Sequence, residues 1–142
     1  ASLGIHQINK VGVSWRKRKK IWDFYNENFK NMPFIKLDPI KKNMRHAYHL
    51  YIILLDLKKI KITRDVFLEE MRKLNIGVGV HYTALHLHPY YKKKYRYRKG
   101  DLKNTEYISD RTVSLPLSPK LNLKDQRDVV NAVKKIINKY NI

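Results

Sequence analysis

The sequence predicts an α+β fold: a small, mostly antiparallel sheet with helices packed on one face. Three observations carry this expectation. Amphipathic stretches of helical period lie near both ends of the chain, over residues 10–30 and 122–140. Between them YHLYIILLDL (48–57) is apolar on both faces and rich in Ile, Leu and Tyr, as a central strand is. The predicted order is helix, strand, strand, helix, strand, loop, strand, helix, without internal repeat, which suits a layered mixed domain.

Each element has its own reason. Over 10–30, Trp15, Trp22, Tyr25 and Phe29 recur at helical spacing with Arg and Lys opposite, and Asn31, Met32 and Pro33 end the helix. PFIKL (33–37) reads as a short strand and DPIKKN (38–43) as a turn-rich link. Alternation along 48–57 points His49 and Tyr51 to one face with Ile53 and Leu55. Thr63 is an N-cap with Asp65 in the first turn, and the helix it opens carries Phe67, Met71 and Leu74 on one stripe before stopping at Gly77. GVGVHY (77–82) reads as a strand whose glycines allow close backbone approach. It opens into a loop of about 20 residues, a length that usually signals function. TEYISDR (105–111) suits a short helix, and TVSLPLSP (112–119) a strand broken by Pro116 and Pro119. Asn122 caps the last helix with Asp125 as its acidic partner, and Val129, Val130, Val133, Ile136, Ile137 and Tyr140 form the buried stripe.

The totals narrow the function classes. A length of 142 residues fits one domain able to bury a core, and 43% hydrophobic residues fit a globular chain. There is no cysteine, so disulfides, thiolate metal sites and cysteine nucleophiles are excluded, and a reducing compartment, the cytoplasm, is the expectation. YIILLDL (51–57) is too short for a membrane span and is interrupted by Asp56. ASLGIHQINK lacks a signal pattern, and a start at Ala1 reads as a cut from something longer. The net charge of +19, dense at RKRKK (16–20) and KKKYRYRK (92–99), would attract phosphate-bearing partners.

Among motifs, GVGVHYTALHLHPYY (77–91) raises the sharpest question, because it holds His81, His86 and His88. No carboxylate lies in that loop, and neither HExxH nor finger spacing occurs, so a metal site lacks its remaining ligands. No GxSxG elbow supports a serine nucleophile, and Gly77 and Gly79 alone do not make a phosphate cradle. YYKKKYRYRKGD (90–101) could stack tyrosines on bases while its cations bind phosphates, which makes a basic nucleic-acid-binding module the alternative reading, although no RNA- or DNA-binding signature accompanies it. His49 could converge with His81 and His86 into one polar pocket wall if their segments are neighbours.

Three segments taken together resemble a known family. HAYHLYIILLD (46–56), NIGVGVHYTALHLHPYYKKKY (75–95) and NTEYISDRTVSLPLSPKLNLKDQRDVVNAVKKII (104–137) look like the C-terminal part of the DegT/StrS-type nucleotide-sugar aminotransferases, which use pyridoxal phosphate. The resemblance covers essentially the whole chain, and within the family it is closest to enzymes that aminate 4-keto sugars on UDP. It implies an interdomain helix over 1–30 and a C-terminal small domain over 31–142. It implies that the cofactor lysine and phosphate-binding residues lie in a large N-terminal domain absent from this chain. The fragment alone is therefore expected to be inactive and not to bind pyridoxal phosphate. In the parent enzyme, a homodimer, glutamate is the implied amino donor and a keto sugar nucleotide the acceptor. By resemblance His81 and Tyr82 face the substrate, with His86 next. His49 and Tyr51 support this wall from the strand beneath, and His88 is loop surface. No catalytic residue and no metal ligand is expected in this chain.

Overall fold

The computed structural model describes residues 2–35 and 40–141. Its elements are helix α1 (Ser2–Phe29), strand β1 (Tyr51–Leu54), helix α2 (Arg64–Lys73), a 3-10 turn (Leu85–Leu87), short helices α3 (Pro89–Tyr95) and α4 (Lys103–Ser109), strand β2 (Thr112–Leu115) and helix α5 (Leu123–Tyr140).

The sheet is antiparallel and small. β1 pairs with β2 in the register Tyr51–Leu115, Ile52–Ser114, Ile53–Val113, Leu54–Thr112. Single antiparallel bridges extend it on both sides, Phe34 against Leu55 beyond β1 and Gly79 against Ser114 beyond β2. Successive side chains on a strand face opposite ways. Tyr51, Ile53, Val113 and Leu115 therefore share one face, and all four belong to the main core with Ile21, Tyr25 and Phe29 of α1, Phe67 and Met71 of α2, and the Val129–Ile137 stripe of α5. Ile52, Leu54, Thr112 and Ser114 share the other face.

The helices obey their end signals. The Thr63 hydroxyl accepts from Val66 N at the start of α2. Asn122 and Asp125 form a reciprocal capping box at the start of α5, each side chain bonded to the other's backbone N–H. A helix N-terminus leaves its first N–H groups without intrahelical partners, and these side chains supply them. Helix α1 is divided. Its second half enters the core through Ile21, Tyr25 and Phe29, with the Tyr25 hydroxyl donating to Pro116 O. Its first half stands free, with Leu3 80% and Ile8 71% exposed. Ile8 and Val11 continue, at helical spacing, the stripe that Trp15 and Trp22 begin to bury.

Several expectations are corrected. Helix α1 begins at Ser2 rather than near residue 10. The strand expected over 48–57 is confined to 51–54, because Tyr48 adopts a left-handed backbone (φ 50°) and turns its ring onto Trp15 and Trp22. His49 lies before the strand and is exposed, so it does not share a face with Tyr51. Of PFIKL, Phe34 bridges to Leu55; residues 36 and 37, and the start of DPIKKN at 38 and 39, lie outside the described residues. GVGVHY forms one bridge at Gly79 rather than a strand. The long loop holds the 3-10 turn and α3.

Candidate substrate-facing site

The second face of the sheet carries the histidine segment. Gly79 and Ser114 exchange both backbone hydrogen bonds (Gly79 N to Ser114 O 3.1 Å, Ser114 N to Gly79 O 2.8 Å), which fixes the segment along the free edge of β2. Two residues on, the His81 ring folds back so that Nδ1 lies 2.8 Å from Ser114 Oγ. It packs so closely on Gly79 that a Cβ there would come within 2.9 Å of His81 Cε1. That contact, rather than a facing backbone, is what requires glycine; around Gly77 the space for a Cβ is open. The His81–Tyr82 peptide is cis. The Tyr82 ring meets the imidazole edge-on at 4.9 Å and is 75% exposed. His81 is half-buried, and its Nε2 finds no partner among the described residues. A held imidazole beside an exposed phenol can hydrogen-bond hydroxyls or phosphoryl oxygens.

His86 points the other way. It is buried, and its Nε2–H donates to Glu106 Oε1 at 2.9 Å. Both carboxylate oxygens of Glu106 also accept from Gly100 N, at 2.8 and 3.0 Å. The hydrogen bond from His86 holds the Glu106 carboxyl below the usual carboxylate range, assisted by the backbone N–H groups of Gly100 and Leu102 and opposed by burial. One turn further along α4, Ser109 Oγ accepts from the buried Ala84 N at 2.9 Å. Glu106 and Ser109 thus pin the segment that carries His81 from below. His86 is a pin of the loop and not part of the surface that Tyr82 and His81 present.

The other expected residues separate as well. The Tyr51 hydroxyl donates to Asn26 Oδ1 at 2.9 Å, tying the sheet to α1 on the face opposite Ser114. Tyr51 therefore supports the core and not the His81 wall directly, and exposed His49 takes no part in it. His88 is exposed. Along α3, Lys94 Nζ covers the rings of Tyr90 (5.4 Å) and Tyr95 (5.3 Å), and Tyr91 stacks on Tyr95, so these faces are partly occupied rather than open to bases. Glu106, Ser109 and Ser114 escaped the sequence reading. The available signal was the spacing of Glu106 and Ser109, three apart in a short helix.

Residues 1–134 match the DegT/DnrJ/EryC1/StrS aminotransferase family. The chain belongs to this family. It is 47% identical over 137 residues to an uncharacterized protein of Methanocaldococcus jannaschii, MJ1066, covering 96% of this chain and 36% of that protein. It is 35% identical over 138 residues to the spore coat polysaccharide biosynthesis protein SpsC of Bacillus subtilis, again covering 96% of this chain and 36% of the relative. Its fold matches that of PseC from Helicobacter pylori, an aminotransferase of pseudaminic acid biosynthesis, with a TM-score of 0.86 and 28% identity over 97% of this chain and 36% of PseC. The chain thus spans about a third of the length of each of these relatives.

Pyridoxal phosphate is the cofactor such enzymes share, and a Streptococcus pneumoniae structure in its PLP form has the same fold (TM-score 0.88, 24% identity, covering 97% of this chain and 35% of that one). A Schiff-base lysine must be desolvated to lower its pKa. Among the described residues no lysine is buried, and the two that are half-buried, Lys19 and Lys134, are engaged with Asp23 and Asn28. The described residues therefore do not fit the cofactor's attachment site.

Proposed function

We propose that residues 31–142 form the small domain of an aminotransferase that delivers an amino group from glutamate to a keto sugar carried on a nucleotide such as UDP, in the making of surface polysaccharide. The observation that carries this reading is the His81–Ser114 contact beside exposed Tyr82, in a chain of this family. A half-buried imidazole held by the sheet is pre-oriented, and its free nitrogen and the Tyr82 hydroxyl offer two polar groups to a sugar hydroxyl or a phosphate. His86 acts through the loop it anchors.

Helix α1 is the proposed interdomain element over 1–30. Its exposed Ile8 and Val11 would lie on the domain that holds pyridoxal phosphate, and the second half of the helix is fastened in this core. The enzyme would act as a homodimer in the cytoplasm. The isolated 142-residue chain would not transaminate.

Transfer from glutamate to a UDP-linked 4-keto sugar, followed as 2-oxoglutarate release, tests the proposal in the intact protein. His81→Ala should raise KM for the sugar nucleotide about tenfold with little change in kcat, the pattern of lost uniform binding. An unchanged KM would remove His81 from the substrate site, and absence of transfer would remove the activity itself.

A further inference from the structure

Ser114 is 4% exposed, and among the described residues its hydroxyl has one partner, Nδ1 of His81. The hydroxyl has a single proton to donate. A neutral imidazole has one protonated nitrogen and one bare one. Were the ring proton on Nδ1, it would donate to Oγ, and the Ser114 O–H would be left in a dry place with nothing to accept it. An unmet buried donor is the costly arrangement. With Nδ1 bare, the Ser114 O–H donates to it and both groups are satisfied. The ring proton then sits on Nε2.

We propose that Ser114 is a positioning residue that fixes neutral His81 as its Nε2–H tautomer. The free edge of the ring is thereby a hydrogen-bond donor, and it takes an oxygen acceptor: a phosphoryl, hydroxyl or carbonyl oxygen of the ligand. In this form Nε2 has no free lone pair, so neutral His81 binds and does not abstract a proton there. Gly79 completes the device, because the space a Cβ would fill is taken by the ring. The ligand class rests on the reading of His81 as substrate-facing; the tautomer rests on the geometry alone.

Long-range proton–nitrogen correlation spectra of the intact protein, labelled with ¹⁵N at histidine and assigned through His81→Gln, report the tautomer directly. The expected spectrum shows Nε2 protonated and Nδ1 bare with the shift of a hydrogen-bond acceptor. In Ser114→Ala that acceptor shift should vanish, and KM for the sugar nucleotide should rise about fivefold at constant kcat, the effect of one net hydrogen bond. A proton on Nδ1 in the unaltered protein would overturn the assignment. Should Ser114→Ala not fold, the unaltered protein still decides, because a Ser114 hydroxyl proton coupled to Nδ1 supports the assignment and a Ser114 Oγ that accepts from Nδ1–H refutes it. Uridine diphosphate separates the two readings. A moved Nε2–H resonance supports both, whereas an unmoved one with the tautomer intact leaves Ser114 in its role and sinks only the substrate contact.

Discussion

Gly79→Ala should leave the fold almost untouched and still displace the candidate site. The new Cβ would lie 2.9 Å from His81 Cε1 and 3.5 Å from Nδ1. Carbon atoms rest at about 3.5–4.0 Å, so the ring must recede by about 0.6 Å or more. Moved as a rigid body away from Ser114, that takes Nδ1 from 2.8 Å to as much as about 3.4 Å from Oγ, beyond a normal hydrogen bond. The lost bond leaves the buried Ser114 O–H without its acceptor, which costs about 1–3 kcal/mol. Against this, Gly79 does not sit in the left-handed region, where only Gly100 among the glycines lies. An alanine at a compatible backbone position stabilises by about 0.4–1 kcal/mol through the unfolded chain. The second effect offsets part of the first. Urea denaturation should therefore place Gly79→Ala no more than about 2 kcal/mol below the unaltered protein, while the His81 ring resonances lose the signature of the Ser114 contact. Gly77→Ala, with open space around its Cβ, is the control: it should keep the gain of about 0.4–1 kcal/mol from the unfolded chain and leave the His81 resonances unchanged. A loss beyond about 3 kcal/mol would mean that the Gly79–Ser114 backbone pairing, not the ring, gives way. Unchanged His81 resonances would equally refute the argument.

Two further outcomes follow from α4. Ser109→Ala leaves the buried Ala84 N–H without its acceptor and should lower stability by about 1–3 kcal/mol, read as a shifted urea midpoint at constant slope; a shift under about 0.5 kcal/mol would show that Ala84 finds another partner. The Glu106 carboxyl is held below its ordinary value of 4.5 in the folded state, so its contribution is full above that value and is lost as pH falls through the lower folded one. Glu106→Gln should be less stable at neutral pH and show a shallower fall in melting temperature on acidification, and parallel acid limbs for the two proteins would contradict this.

The α-helical half of the fold was legible because its signals are local. Thr63 and the Asn122–Asp125 pair stand beside the helices they cap, and the Phe67, Met71 and Val129–Ile137 stripes repeat within a few residues. The sheet was only partly legible. Apolar composition marked 48–57, but Tyr48 leaves the strand to join an aromatic cluster with Trp15 and Trp22, more than two dozen residues away along the chain. His81 was reached through the resemblance, and its partner was not, since the two are 33 residues apart. The inward turn of His86 depends on Glu106, 20 residues on, and no spacing within the histidine loop reveals it. Helix α1 was under-read for the opposite reason. Residues 2–9 are all exposed, and although Ile8 continues the Trp15 stripe, nothing among the described residues covers it, so the pattern there has no partner in this domain.

The alternation along β2 separates two kinds of change. Val113 and Leu115 enter the main core, while Ser114 between them faces the other way and gives its one side-chain hydrogen bond among the described residues to His81. A substitution at either neighbour reaches the main core, whereas a small one at Ser114, or at Gly79 beside it, acts first on a single imidazole. A lineage could retune which oxygen that imidazole greets by drifting through these two positions, without having to rediscover how to fold.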